Sequence, residues 1–229
     1  MQTKIKTLIA VAVALALVTG CQSPGRTAKN ESPEVCLDCA RNPSNQKLAG
    51  TPFVTEWLTP SQRAAPIRGI SFQNQDGVGV SFQELRGAPA AISFVYTRHD
   101  DNEAKCPLVA RTLGELALLV KDMPTSPKPS FLLLSYDPEF DAPSELKTFA
   151  SIHGFGRMPR AMLLPPHLQT RELVFIDLKV RANHNERDVS LHGIQLILLD
   201  KEGRYVRTYH SLLWDNAQVL TDLARLAAE

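Results

Sequence analysis

Net charge of either sign is nearly absent: 25 lysine and arginine side chains stand against 24 aspartate and glutamate, a formal charge of +1. A chain so balanced has no field to draw in a nucleic acid, and nucleic-acid binding is set aside on that ground. Long apolar runs are missing as well. The most sustained run, Leu8 to Val18, falls short of the about 20 residues that a bilayer-spanning helix needs. Neither a Gly-x-Ser-x-Gly elbow nor a His-Glu-x-x-His helix occurs, so hydrolase chemistry of those types has no footing. Cysteine is scarce, with 4 residues, and each position therefore bears on function.

What is present begins with an export signal. Lys4 and Lys6 precede the short apolar run, the layout of a secretory signal over residues 1–20. The run closes on Leu17-Val18-Thr19-Gly20-Cys21, which resembles a bacterial lipobox. In that reading Cys21 takes a lipid and becomes the first residue of the mature protein. The chain is then expected in the bacterial cell envelope, anchored through the lipid on the periplasmic or extracytoplasmic face of a membrane. Cys36, Cys39 and Cys106 are left in a compartment where disulfides persist, and an odd number cannot all pair with one another.

Residues 21–66 are rich in Ser, Pro, Asn, Gln and Ala without apolar periodicity, and are expected to form a flexible tether that carries Cys36-Leu37-Asp38-Cys39. No histidine follows Cys39, so haem attachment is not supported. Residues 67–229 are expected to form a single domain. Ile70-Ser71-Phe72 and Val78 to Phe82 alternate around Asp76-Gly77, a hairpin signal. Ala90 to Tyr96 and Phe131 to Ser135 are continuous apolar runs, as expected of strands buried on both faces. Pro107 opens a helix, and Asp141-Ala142-Pro143 opens another, with Asp141 as its cap. A strand over Met162 to Leu164 and a helix over Gln169 to Val180 follow. Ile194 to Leu199 and Tyr205 to Tyr209 flank Asp200-Lys201-Glu202-Gly203 as a second hairpin, and Trp214 to Ala228 reads as a terminal helix. Strands alternating with helices imply an α/β sheet flanked by helices.

Four stretches taken in order resemble one family. Ile92-Ser93-Phe94-Val95-Tyr96-Thr97-Arg98, Cys106-Pro107 at a helix start, Ser135 through Pro143, and Leu191-His192-Gly193 before a strand together resemble the SCO/SenC family of copper chaperones, from about Ile70 to the terminal helix. The resemblance implies a thioredoxin-like fold with an extra β-hairpin. It also implies copper delivery to the dinuclear copper centre of cytochrome oxidase, with a thiol–disulfide role for some members. The partner would be a cytochrome oxidase subunit or another copper protein. The family site is two cysteines on the loop after the first central strand plus a distant histidine. By position Cys106 matches the second cysteine and His192 the histidine. Where the first cysteine would stand, this chain has His99, on an acidic loop with Asp100, Asp101 and Glu103.

The altered set is therefore Cys106, His192 and His99. One thiolate with two imidazoles is harder than two thiolates with one, and closer to the ligands that hold copper(II). A helix start beside Cys106 stabilises its thiolate. His99 reads equally as a solvated loop residue, and His192 as a hydrogen-bonded residue at a strand start. Asp137 is read as a loop-ordering residue. Three functions stay open: a copper-binding or copper-delivering accessory protein; a thiol–disulfide oxidoreductase using Cys106 with Cys36 or Cys39; and a binding module that keeps the fold without metal. Enzymatic activity would reside only in the second.

Overall fold

The computed structural model describes residues 53–98, 105–155, 161–164, 168–180, 183–185, 188–190, 194–211 and 214–229. Two apolar runs form its centre. β4 (Ala90–Val95) and β5 (Ser130–Ser135) are buried at every position, because helices and neighbouring strands leave neither face to solvent. They pair in parallel, Ala90 opposite Ser130 through Val95 opposite Ser135. β6 (Ala161–Leu164) extends the sheet in parallel beyond β5. On the other side β9 (Gln195–Leu199) lies antiparallel to β4, and β10 (Tyr205–His210) antiparallel to β9. With β1 (Phe53–Val54) antiparallel to β10, the sheet has six strands in the order β1-β10-β9-β4-β5-β6. This is the thioredoxin-like α/β architecture expected from the sequence, with all four expected central strands adjacent.

Helix α1 (Lys105–Leu119) connects β4 to β5 and packs on both. Its inner face carries Cys106, Val109, Leu113 and Leu116, spaced by three and four residues as one side of a helix requires. It begins two residues before the expected Pro107. α2 (Pro143–Ile152) packs against β6, with Leu146, Phe149 and Ala150 buried. α3 (Leu168–Asp177) and α4 (Asn216–Ala228) are the remaining α-helices among the described residues, the last capped by the Asp215 side chain on the Ala217 amide. Among the described residues no helix is long and apolar enough to cross a membrane.

Two small hairpins stand outside the main sheet. β2 (Ser71–Gln73) and β3 (Gly79–Ser81) form the expected one, its turn held by the Asn74 side chain, which accepts from the amides of Asp76 and Val78. Gly77 sits there at φ +75°, in the left-handed region that glycine adopts without strain. The second, β7 (Asn183–Asn185) with β8 (Asp188–Ser190), has no counterpart among the expected elements.

The boundary between tether and domain also moves. Composition assigns residues 53–66 to the tether, yet they carry β1 and the buried Arg63. The Thr55 amide donates to the Thr208 carbonyl (2.9 Å), and the Thr208 amide returns a bond to Thr55 Oγ1 (2.8 Å). Arg63 donates to Asp200 (3.0 Å) and Glu229 (2.5 and 3.1 Å). These are polar, long-range contacts, which leave no apolar periodicity to read. Residues 1–52, including the signal, Cys21, Cys36 and Cys39, lie outside the described residues.

Candidate functional site

Cys106 lies in the first turn of α1, where backbone N–H groups are not consumed by the helix and favour negative charge on a nearby sulfur. The residue is only 2% exposed. Tyr136, which leaves the end of β5, lies within electrostatic reach of it. The Tyr136 amide donates to the Val95 carbonyl (2.7 Å), fixing the tyrosine across the ends of β4 and β5. Its ring packs with Phe94 (centroids 5.0 Å apart) and Phe175 (6.0 Å), and its hydroxyl is hydrogen-bonded to the side chain of Gln195, the first residue of β9. Burial, and secondarily any negative charge on Cys106, drives the phenol pKa well above its ordinary value, against the opposing pull of Gln195. Tyr136 therefore stays protonated. The Gln195 carbonyl accepts a bond from Ser93 Oγ at 2.7 Å. α1, β5 and β9 thus each bring one polar side chain to the carboxyl end of β4, the place where open α/β sheets put their sites.

A second polar cluster fixes the loops there. Asp141 was a natural helix cap by sequence, but the cap of α2 is Ala142, which makes no side-chain capping bond. Asp141 is instead drawn inward, 1% exposed. It accepts from the Thr97 amide (3.1 Å), Thr97 Oγ1 (2.5 Å) and Ser135 Oγ (2.5 Å). The helix signal Asp-Ala-Pro is local, while the unsatisfied donors at the ends of β4 and β5 are tertiary and take the carboxylate. Burial raises the Asp141 pKa; the Ser135 and Thr97 bonds oppose it and the charge of Asp137 adds to it. Asp137 orders its loop as expected. It pairs with Arg98 (2.5 Å), whose guanidinium also lies over the Phe140 ring at 3.4 Å.

Of the expected site residues, Cys106 alone is described; His99 and His192, like Cys21, Cys36 and Cys39, fall outside the described residues. Among the described residues no group of three or more His, Cys, Asp or Glu side chains is placed to hold a metal ion. The described part therefore supplies one sulfur donor to any such site. It also shows where the chain leads: Arg98 directly precedes His99, and Ile194 and Gln195 shortly follow His192, all at the end of the sheet where Cys106 lies. Tyr136 and Gln195 were not singled out by sequence, although each is a polar group at the edge of an apolar run, which was the available signal.

The SCO1/SenC family pattern matches residues 60–228, most of the chain. The chain belongs to the SCO1/SenC family. A SCO1 protein homologue from Bacillus subtilis is 32% identical over 85 residues, a stretch covering 37% of this chain and 42% of that protein; the match thus spans less than half of the relative's length. Among solved structures, a SCO1/SenC family lipoprotein from Bacillus anthracis is 21% identical, covering 72% of this chain and 96% of its own with a TM-score of 0.63. BsSco, described as a cytochrome c oxidase assembly protein with a disulfide switch, is 22% identical, at 72% and 94% coverage and a TM-score of 0.60. Yeast Sco1 with copper bound is 20% identical, at 71% and 88% coverage and a TM-score of 0.54. At these identities the likeness establishes the fold of this SCO1/SenC member, and its six-stranded sheet and α1 are the parts that carry Cys106.

Proposed function

We propose that this SCO1/SenC protein is a lipid-anchored, copper-binding accessory protein of the bacterial cell envelope that serves cytochrome oxidase assembly, with Cys106, His192 and His99 as the ligands of its copper cargo. Family membership supports the class, and the copper-bound yeast relative and the assembly role of BsSco support the cargo and its destination. The observation that carries the reading is Cys106 in the first turn of α1, at the sheet end toward which the chain leads from His99 and His192. One thiolate and two imidazoles suit copper(II) better than a site of two thiolates does. His99 in place of the family's first cysteine disfavours the alternative of thiol–disulfide exchange with Cys36 or Cys39, since such chemistry needs a paired thiol at the helix start.

The test is equilibrium dialysis against copper in each oxidation state. One ion per chain is expected, with Cys106→Ser and His192→Ala each removing most of the binding and His99→Ala weakening it less. No stoichiometric copper in either state would leave a metal-free binding module as the function. For the anchor, Cys21→Ser is expected to leave the protein soluble or unprocessed in cell fractionation. Normal processing with unchanged membrane association would overturn the lipobox reading.

A further inference from the structure

Cys36-Leu37-Asp38-Cys39 takes no part in the set of Cys106, His192 and His99, yet it holds two of the chain's 4 cysteines. Where the chain enters the domain decides what that pair can reach. Phe53, the first residue of β1, pairs with His210, His210 pairs with Gln195, and the Gln195 carbonyl accepts from Ser93 Oγ in β4 (2.7 Å). The chain thus joins the sheet at the carboxyl end of β4, the end that Cys106 follows, and from there runs beside β10 to Arg63 and its partner Asp200 at the opposite end. In the sheet order β1 stands three strand spacings from β4, about 14 Å. Cys39 precedes Phe53 by about 14 residues, which extend to about 48 Å. Both sulfurs of the pair are therefore tied within reach of the Cys106 end of the sheet, with length to spare. Their chemistry supplies what the loop after β4 lacks: a Cys-x-x-Cys places two thiolates on one metal ion, and soft thiolates select copper(I) where imidazoles suit copper(II).

We propose that Cys36 and Cys39, as a dithiol, bind copper(I) and bring it to Cys106, so that the segment around residues 36–39 covers the carboxyl end of β4 and one ion is held by three sulfurs of the same chain. The three sulfurs serve copper(I), and Cys106 with His99 and His192 serves copper(II). Because about 14 residues join the pair to β1, the third sulfur contact is intramolecular, at an effective concentration on the order of millimolar for a short linker. Cys106 is 2% exposed, so it is the ion that meets its sulfur, as in any copper reading, while the other two thiolates approach from the solvent side. In its use of Cys106 the proposal rests on the ligand role given to that residue above; the part of Cys36 and Cys39 does not.

The test uses the full chain in detergent, reduced and kept from oxygen, with copper(I) affinity read by competition with bicinchoninate and the sulfur neighbours of copper counted by X-ray absorption. Wild type is expected to show three sulfurs. Cys36→Ser with Cys39→Ser, and separately Cys106→Ser, are each expected to weaken copper(I) binding by about 100-fold, the scale of gain that linking two partial sites gives. His99→Ala and His192→Ala are expected to leave copper(I) binding unchanged. An unchanged affinity in the double variant overturns the role of Cys36 and Cys39; loss in Cys106→Ser alongside it would leave the ligand role of Cys106 standing. Loss in the double variant with none in Cys106→Ser means a separate dithiol site and overturns the shared one, and copper(II) dialysis then decides Cys106 independently. A wild-type chain that holds no copper(I) overturns the proposal whatever copper(II) dialysis gives. Mixing the double variant with Cys106→Ser at micromolar concentration is expected to restore nothing; recovery would place the three sulfurs on two chains and overturn the single-chain set. Cys36 and Cys39 lie outside residues 53–229, which carry the sheet, so a folded double variant is expected. If Cys106→Ser does not fold, the sulfur count of wild type against the double variant, three against one, decides.

Discussion

At the scale of single residues, the polar groups buried at the carboxyl ends of β4 and β5 carry the largest consequences. Asp141 satisfies Thr97 and Ser135 at once, and Asp141→Ala takes the acceptor from the buried Ser135 hydroxyl and from the half-buried Thr97. Hydrogen bonds to a charged group, with the loss of satisfaction they leave behind, put the expected loss at about 2–3 kcal/mol of unfolding free energy, measurable by urea titration. Asp141→Asn separates charge from shape. The folded-state pKa of Asp141 is raised, chiefly by burial, so its contribution is fully present below the ordinary aspartate range and is lost as pH rises through the raised value. The stability advantage of wild type over Asp141→Asn is therefore expected to be larger at pH 4 than at pH 7. An advantage that grows with pH would mean that the Thr97 and Ser135 bonds outweigh burial.

At the scale of elements, strands buried on both faces were legible and short polar ones were not. β4, β5 and β9 announce themselves as apolar runs because every side chain is buried. β1 has two exposed residues and is held by backbone bonds and by Arg207 of β10, which donates to the carbonyl of the adjoining Thr55, and neither leaves a pattern in the strand's own sequence. The Asp141 cap was misread for a related reason: the local start signal was sound, but distant donors compete for the same oxygens. Tyr136 and Gln195 meet only because β5 and β9 both flank β4, so neither could announce the other. The docking of β1 carries its own prediction. Phe53 stacks on His210, with centroids 5.0 Å apart, and burial lowers the His210 pKa. A depressed folded pKa gives stability that is present above the unfolded value of about 6.5 and is lost as pH falls through the lowered one. The Thr55 amide, bonded to the Thr208 carbonyl, is expected to exchange faster relative to the core at pH 5.5 than at pH 7.5, after correction for intrinsic rates. His210→Phe is expected to flatten that dependence, and equal dependence in the variant would exclude His210 as its source.

At the scale of the whole molecule, the first described segment, residues 53–63, is built into the domain through charge. Arg63 joins Asp200, in the turn between β9 and β10, to Glu229 beyond α4, and its guanidinium lies 5.8 Å from the Trp57 ring, which Arg207 and Arg225 also approach. Asp200 is nearly sealed, with a side chain 1% exposed, and its remaining cationic partner is Arg204 at 2.7 Å. Removing one partner of a buried pair leaves an uncompensated charge, at a cost of about 3–5 kcal/mol in comparable cases. A chain starting at Ile67 loses Arg63, Trp57 and β1 together and is expected to unfold at clearly lower urea than one starting at Phe53, with Arg63→Ala accounting for much of the difference. The strand register keeps this effect away from the site. Leu199 pairs with Ala90, so Asp200 lies beside the amino end of β4, whereas Cys106 follows its carboxyl end. Arg63→Ala is accordingly expected to lower stability while leaving copper stoichiometry unchanged at temperatures where the variant is folded. Parallel loss of both, in protein still folded by circular dichroism, would show that the clasp and the site are coupled across the sheet.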